Sequence, residues 1–399
     1  MRALLLALLF TATGQAQSPE LPAAKTSNAH ACELFQLFRH MTPGNFCFSP
    51  FSSHQMAALL TTAAQGETQA ELAALAHISG DMAKEIKNVA ALRTALAGTV
   101  TRGALAMEIT NSLWAANSAD FAPEFLESSQ TQFGATLQKL PAGNATECAA
   151  AVNLWVREKT RGRISQIIGP SAFTSPDHSV IAVNTVYLKG RWSQPFELKR
   201  TKPRSFQTPT QGAVMLPTMI MPLGAFDYAE AESWQCIEMP MSGGEVSLLI
   251  LLPRNETTRQ NIETTLTPEL WNAVRSGLSE CDVNVMLPRF GYSTQLSLKG
   301  LWQRLGTQHV FAKGTADLTK GLPAGGFFVS DISHEALIEI NELGAEAAAA
   351  LTAAADPFGG APAPPKRVIV NFIANRPFLW LMRHQSTGLI LFMGRYAGV

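Results

Sequence analysis

Eight histidines, 31 acidic residues and numerous serines supply the side chains from which hydrolytic or metal chemistry is built, yet their spacing assembles none of it. There is no Gly-x-Ser-x-Gly elbow to present a nucleophilic serine, no His-Glu-x-x-His helix to hold zinc and no glycine-rich phosphate loop. His334-Glu335 is the first half of a zinc motif without its second half. Serine, histidine and aspartate far apart in sequence can still meet in space, but no spacing selects a triad, so neither catalysis nor a cofactor is expected. What the sequence offers instead is conformational chemistry. Residues 342–355 read Glu-Leu-Gly-Ala-Glu-Ala-Ala-Ala-Ala-Leu-Thr-Ala-Ala-Ala, after the alternating run Ala336–Ile340 and before the Pro/Gly-rich stretch 356–365. Small side chains without proline change conformation cheaply, and the strand-like lead-in suggests that the segment becomes an extra strand. Taken alone, the segment reads more readily as an alanine-rich helix with Glu342 and Glu346 in its first turn.

The elements that must position such a segment have ample material. The chain has 399 residues, 46% of them hydrophobic, and no composition break divides it. The 31 basic residues balance the 31 acidic ones, which removes any global electrostatic argument for nucleic acid or an anionic membrane as partner. Residues 1–16 read as a cleaved signal peptide, with Arg2 before an apolar run and Gly14-Gln15-Ala16 at the cleavage site. The mature chain, residues 17–399, is expected to be secreted, extracellular and monomeric. Two sequons, at Asn144 and Asn255, fit that export route as glycosylation sites. Cys32, Cys47, Cys148, Cys236 and Cys281 form no CxxC pair, and their odd number leaves at least one unpaired or bridged to another molecule.

Hydrophobic spacing predicts helices over 27–40, opened by Ser27 or Asn28, then over 54–64 after Ser52 or Ser53, and over 69–75 with Thr68 as cap. Further helices are expected at 81–97, 123–133 and 149–168. Strands are expected at 45–50, 104–115, 179–188, 234–239, 245–252 and 281–287, with a closing hairpin of 378–383 and 388–393. Helices first and strands later argue for an α+β fold. The prolines of 356–365 exclude a central strand there and leave an exposed loop.

Several separate segments resemble the serpin family of serine protease inhibitors. They include Asn45-Phe-Cys-Phe-Ser49-Pro50-Phe-Ser52, Gln65-Gly66-Glu67-Thr68, Val183-Asn184 through Trp192, Leu287-Pro288-Arg289-Phe290, His334, Glu342 to Ala350, Arg376-Pro377-Phe378 and Leu391-Phe-Met-Gly394-Arg395. The C-terminal segment is similar to the plasminogen-activator-inhibitor group. The resemblance implies one domain with three β-sheets, eight or nine helices and an exposed reactive-centre loop at about 342–370. A target serine protease, chymotrypsin-like or trypsin-like, would cut that loop. The acyl-linked loop would then insert into the main sheet and trap the enzyme, without turnover. The alternative is a non-inhibitory serpin acting as a binding or carrier protein.

The resemblance also assigns residues. Glu342, Gly344, Ala345, Ala347, Ala348, Ala349 and Ala350 match the hinge, where free backbone rotation and small side chains suit entry into a closed sheet. Ser49, Ser52, Asn184 and His334 match a polar shutter beneath the central strands. Trp192 matches the breach at the top of the sheet, where Glu342 would pair with Arg289. The family's spacing names two reactive bonds. Counting fourteen residues beyond Gly344 gives Phe358-Gly359, whereas counting eleven back from Pro377 gives Lys366-Arg367, with Val368 next. Fifteen extended residues span roughly 50 Å, and eight more would leave a slack tether, which favours Phe358 over the basic alternative. Lys84, Lys87 and Arg93 lie where some serpins bind glycosaminoglycan, but their spacing makes no single face.

Overall fold

The computed structural model describes residues 21–41, 43–101, 105–173, 178–345 and 367–398. Its helices are α1 (Pro22–Phe38), α2 (Pro50–Ala63), α3 (Gly66–Leu75), α4 (Met82–Thr101), α5 (Pro123–Phe133), α6 (Ala145–Lys159), α7 (Glu256–Thr264), α8 (Pro268–Ser276) and α9 (Lys299–Arg304). The first strands are β1 (Phe46–Phe48), β2 (Leu105–Ala115), β3 (Thr136–Lys139), β4 (Ser179–Arg191), β5 (Lys202–Thr208) and β6 (Gly212–Glu230). They are followed by β7 (Trp234–Pro240), β8 (Val246–Pro253), β9 (Ser279–Pro288), β10 (Phe290–Ser297) and β11 (Phe328–Asn341). The last are β12 (Gly344–Ala345), β13 (Ile369–Ile373), β14 (Phe378–His384) and β15 (Ile390–Tyr396).

Helix ends depart from the sequence expectation where another group satisfies the backbone better. Pro22 starts α1, since its fixed φ suits the first turn and its missing N–H has no partner to lose there. Ser27 and Asn28 therefore lie inside α1 and are buried. The Asn28 amide instead grips the C-terminal hairpin, donating to the Gly388 carbonyl and accepting from the Ile390 N–H, each at 2.9 Å. Ser49, one turn before the expected caps, caps α2 by accepting from the Ser52 N–H at 3.3 Å. Thr68 caps nothing; its hydroxyl accepts from the Asp317 N–H at 3.0 Å. Helix α6 stops at Lys159 rather than running to 168, because Arg161 and Gly162 turn left-handed at φ 54° and 79°.

Two strand networks form. One is six-stranded, in the order β10-β11-β12-β4-β2-β3, with β11 also paired directly to β4. The other runs β1-β15-β14-β8-β7-β6-β9-β13, with β5 on β6. The long strand β6 splices two groups in this second network. Its first half pairs with β5 and its middle with β9, while only Asp227–Glu230 pairs with β7. The six-stranded sheet and these two groups make three sheets in a mixed α+β fold, the number the resemblance implied.

The core is divided by the six-stranded sheet. On one face, Phe35 and Phe38 of α1 pack with Phe46 and Phe48 of β1, with Phe38 stacked on Phe48 at 4.4 Å. Towards the top of that face, Val186, Leu188, Ala336, Ile338, Ile340 and Ala345 pack on Ile250, Trp380 and Phe392 of the second network. On the opposite face, α6 lays Val152, Trp155 and Val156 over Trp114, Ile181 and Val183. All five cysteines are buried, and burial pushes the Cys47 thiol up to about 12. Among the described residues, no helix is long and apolar enough to cross a membrane.

Asn28→Ala would leave the Ile390 N–H buried without its partner. A loss of about 1–3 kcal/mol is expected in chemical unfolding, whereas an unchanged midpoint would show that the α1-to-hairpin tie contributes nothing.

Candidate functional site

The top of the six-stranded sheet is where β11 ends and the small-residue segment begins. The chain leaves β11 at Asn341, turns through Glu342 and Leu343, and re-enters the sheet as β12, whose two residues lie between β11 and β4. Gly344 pairs with Asn341 on one side and Arg191 on the other, and Ala345 with Ile340 and Gly190; both pairings are antiparallel. Only glycine fits at 344. Its φ is +140°, and a β-carbon there would lie 2.1 Å from the Gly190 carbonyl oxygen.

Backbone and side chains hold the turn from several directions. The Trp192 N–H donates to the Leu343 carbonyl and the Phe196 N–H to the Glu342 carbonyl, each at 2.9 Å. The Trp192 indole Nε1 donates to the Asn341 carbonyl at 2.9 Å. The buried Glu342 carboxylate accepts from the Thr201 hydroxyl at 2.6 Å and from the Arg289 guanidinium at 2.5 Å. Burial alone would raise its pKa, but these donors outweigh that and hold it below the ordinary value. Trp192, Glu342 and Arg289 thus meet around the start of the segment.

Lower in the sheet, a hydrogen-bonded chain of polar groups crosses three strands. His334 on β11 lies opposite Asn184 on β4, which lies opposite Asn111 on β2. The Ser49 N–H donates to His334 Nε2 at 3.2 Å, so that nitrogen carries the lone pair. The proton on His334 Nδ1 is therefore donated to Asn184 Oδ1, at 2.6 Å. Asn184 Nδ2 in turn donates to Asn111 Oδ1. The Ser49 hydroxyl donates to the Leu391 carbonyl at 2.7 Å, tying the chain to the second network. Ser52 does not join through its side chain. Its N–H reaches Ser49, while its buried hydroxyl has no partner. Sequence reasoning missed Asn111 and Thr201. For Asn111 the available signal was a lone polar residue in the alternating apolar set Leu105, Met107, Ile109, Leu113 and Ala115 of β2.

The remaining assigned residues fall into two groups. Ala347, Ala348, Ala349, Ala350, Phe358, Gly359 and Lys366 lie outside the described residues, as does the segment 1–16. Arg367 is described and held down. Its guanidinium lies 2.6 Å from Glu280 and 3.7 Å from Asp282, and the Val368 carbonyl accepts from the Asp282 N–H at 3.0 Å. Asn144 and Asn255 are exposed caps of α6 and α7, with their side-chain oxygens occupied by backbone N–H groups. Lys84, Lys87 and Arg93 are exposed on α4, and Arg93 leans over Gly134 at the end of α5, away from a common face. A small cavity beside α8, walled by Trp271, Leu249 and Leu381, measures about 20 Å³, room for roughly one water. No cluster of side chains able to hold a metal occurs among the described residues.

This arrangement, a strand stub seated between two central strands and a polar chain tying them below it, occurs in a molecule whose residues 25–398 match the model of the serpin (serine protease inhibitor) family. The chain belongs to that family. It is 32% identical to the human leukocyte elastase inhibitor over 379 residues, covering 92% of this chain and 97% of that one. It is 35% identical to mouse antithrombin-III over 292 residues, 72% of this chain and 61% of that one. Among solved structures, Serpin48 of the insect Tenebrio molitor superposes with a TM-score of 0.80 at 24% identity, covering 94% and 98% of the two chains. Human thyroxine-binding globulin complexed with its hormone superposes at 0.83 and 21% identity, covering 94% and 98%. At those identities the superpositions speak for the fold alone.

Burial holds His334 down at about 3 and His54 at about 4, against an ordinary 6.5; His30 is also lowered, by burial and then by His54 and His77. Such histidines are neutral in the folded chain and take up protons on unfolding. Their contribution is complete above pH 6.5 and is lost as pH falls towards the folded values. The unfolding midpoint should therefore be flat above pH 7 and drop between pH 6.5 and 4. His334→Gln should show a shallower drop, and an identical slope in that variant would contradict the assignment.

Proposed function

We propose that this chain is a secreted, single-use inhibitor of serine proteases, in which cleavage of the segment after β12 lets that segment continue down between β4 and β11. The observation that carries this reading is the seating of β12. Its two residues are already antiparallel to both neighbours, so an extended continuation would replace one parallel ladder with two antiparallel ones, the more stable pairing per residue.

The β12 register can be continued residue by residue. Ala345 is buried on the core face, so residues 347, 349, 351, 353, 355 and 357 would follow it inward, and all are alanine, leucine or proline. Glu346, Thr352 and Asp356 would fall on the other face. Successive pairing reaches the first residue of β4, Ser179, at Asp356, and the first residue of β11, Phe328, at Pro357. The sheet is thus filled by residues 344–357, and Phe358 is the first residue beyond it. This supports Phe358-Gly359 as the reactive bond. A tether to Lys366 would overhang by eight residues, and the grip of Glu280 and Asp282 on Arg367 further disfavours a cut beside that side chain.

In the same register Leu351 arrives between His334 and Asn184 and parts their hydrogen bond without offering another. Insertion thus costs a buried polar pairing, which slows trapping relative to hydrolysis of the acyl-enzyme.

Relatives sharing about a third of the sequence are named leukocyte elastase inhibitors, which supports a target with an apolar specificity pocket. The apolar run of residues 3–12 and the two exposed sequons support secretion and glycosylation. The likeness to the plasminogen-activator-inhibitor group rests on the C-terminal segment alone. The carrier alternative is weakened by the alanine-rich hinge.

The mature protein incubated separately with chymotrypsin, leukocyte elastase and trypsin, then run on denaturing gels, tests the reading. With chymotrypsin we expect a denaturation-resistant complex and a released peptide starting at Gly359, and Leu351→Thr should raise the complexed fraction. A trypsin complex releasing a peptide from Arg367 or Val368 would move the bond downstream. Cleavage by all three enzymes with no complex would overturn the inhibitor reading.

A further inference from the structure

Two half-buried charges of opposite sign, Lys299 and Asp331, line one cavity of about 450 Å³ at the lower end of the six-stranded sheet. The segment after α6, with Ile167 and Ile168, forms one wall; the ends of β10 and β11 and the start of α9 form the other. Such a volume suits a small organic ligand.

Strand register shows which way the carboxylate looks. Ser297 lies opposite Ser333, and Ser333 opposite Val183, which packs beneath α6. Directly opposite residues share a face of a sheet, so both serines are on the α6 side. Both hydroxyls donate to the Asp331 carboxylate, that of Ser333 at 2.7 Å, and so hold it on the cavity side of β11. The Lys299 ammonium donates to the Ser330 carbonyl at 3.2 Å and stands 5.7 Å from the centre of the Phe311 ring. Ser297 separates the two charges, accepting from the Lys299 N–H at 3.2 Å while donating to Asp331.

Every one of these partners is neutral. Among the described residues neither charge meets an opposite one, and the two do not pair with each other. The ammonium has three N–H groups and uses one of them on protein oxygen, and the carboxylate keeps lone pairs beyond its two hydroxyl donors. A charge drawn partly out of water is stabilised most by an opposite charge in hydrogen-bond contact. A neutral ligand would leave both charges unpaired, and a simple anion or cation would pair with one and sit beside a like charge at the other. A molecule carrying an ammonium and a carboxylate pairs with both. We infer that this cavity binds a small zwitterion, a free amino acid or dipeptide with an apolar side chain, its ammonium on Asp331, its carboxylate on Lys299 and its side chain against Ile167, Ile168 and Leu296.

The occupant would join the segment after α6 to β11, the strand that must part from β4 if the loop inserts. Binding would then slow insertion; that consequence rests on the inhibitor reading, whereas the site does not.

The test is saturation-transfer NMR on the full mature protein with leucine and glycylleucine as probes, and with N-acetylleucine and leucinamide, each lacking one of the two charges, as comparisons. Saturable transfer to a zwitterion is expected, with both comparisons weaker by about tenfold or more. Lys299→Gln should weaken the zwitterion by about tenfold and leave leucinamide no weaker, whereas Asp331→Asn should weaken the zwitterion and leave N-acetylleucine no weaker. Lys299→Gln alters one exposed-end contact and serves alone if Asp331→Asn, which disturbs two hydroxyls, fails to fold. No saturable transfer to either zwitterion, equal binding of N-acetylleucine or leucinamide, or zwitterion binding unaffected by Lys299→Gln would overturn the assignment. Because binding is read directly, failure of the inhibitor reading would leave this result interpretable.

Discussion

The parallel pairing of β11 with β4 is the constraint on which the rest of this structure depends. Nine residue pairs, from Phe328 with Ser179 to Leu337 with Tyr187, close the centre of a six-stranded sheet whose other pairings at β4 and β11 are antiparallel. A parallel pair is slightly weaker per residue than an antiparallel one. Here it is reinforced by His334 and Asn184, which join the strands at 2.6 Å and extend the bond on either side to Ser49 and Asn111. The sheet is thus held at its middle by buried polar groups with specific partners, an arrangement that resists partial opening but can be undone as a unit.

Above that middle the geometry differs. β12 has already separated the two strands, and the turn that delivers it is gripped by Trp192, Thr201 and Arg289. Gly344 makes the entry feasible, since any β-carbon would collide with β4. The same sheet therefore has an occupied upper end and a closed lower one, and the small side chains that follow Ala345 have the alternation that the lower end would require. Local sequence and strand register agree on one direction of travel, with Leu351 at the His334–Asn184 pair as the one mismatch.

Much of this is legible in the residues. The alternating run into Glu342 and the alanines after it allow an added strand, although alone they read more readily as a helix and only the resemblance of the rest of the chain decides between the two; α5 and the closing hairpin fall where periodicity puts them. The legible parts share a cause, since each is encoded by neighbours in sequence. What was missed depends on distant partners. Asn28 is an interior tie to residues 388–390 rather than a cap, Ser49 caps α2 in place of Ser52, and Asn111 is recognisable only through its register with Asn184. The choice between Phe358 and Lys366 also cannot rest on local sequence, because it turns on how many residues the sheet accommodates between Ala345 and the lower ends of β4 and β11.

The central claim is that the sheet accepts its own cleaved segment, and thermal unfolding of the mature protein before and after a single nick in residues 346–366 tests it most directly. Insertion predicts a large rise in the unfolding temperature of the nicked protein. An unchanged or lower temperature, with the nick confirmed by mass, would mean that β4 and β11 stay paired and would contradict the account.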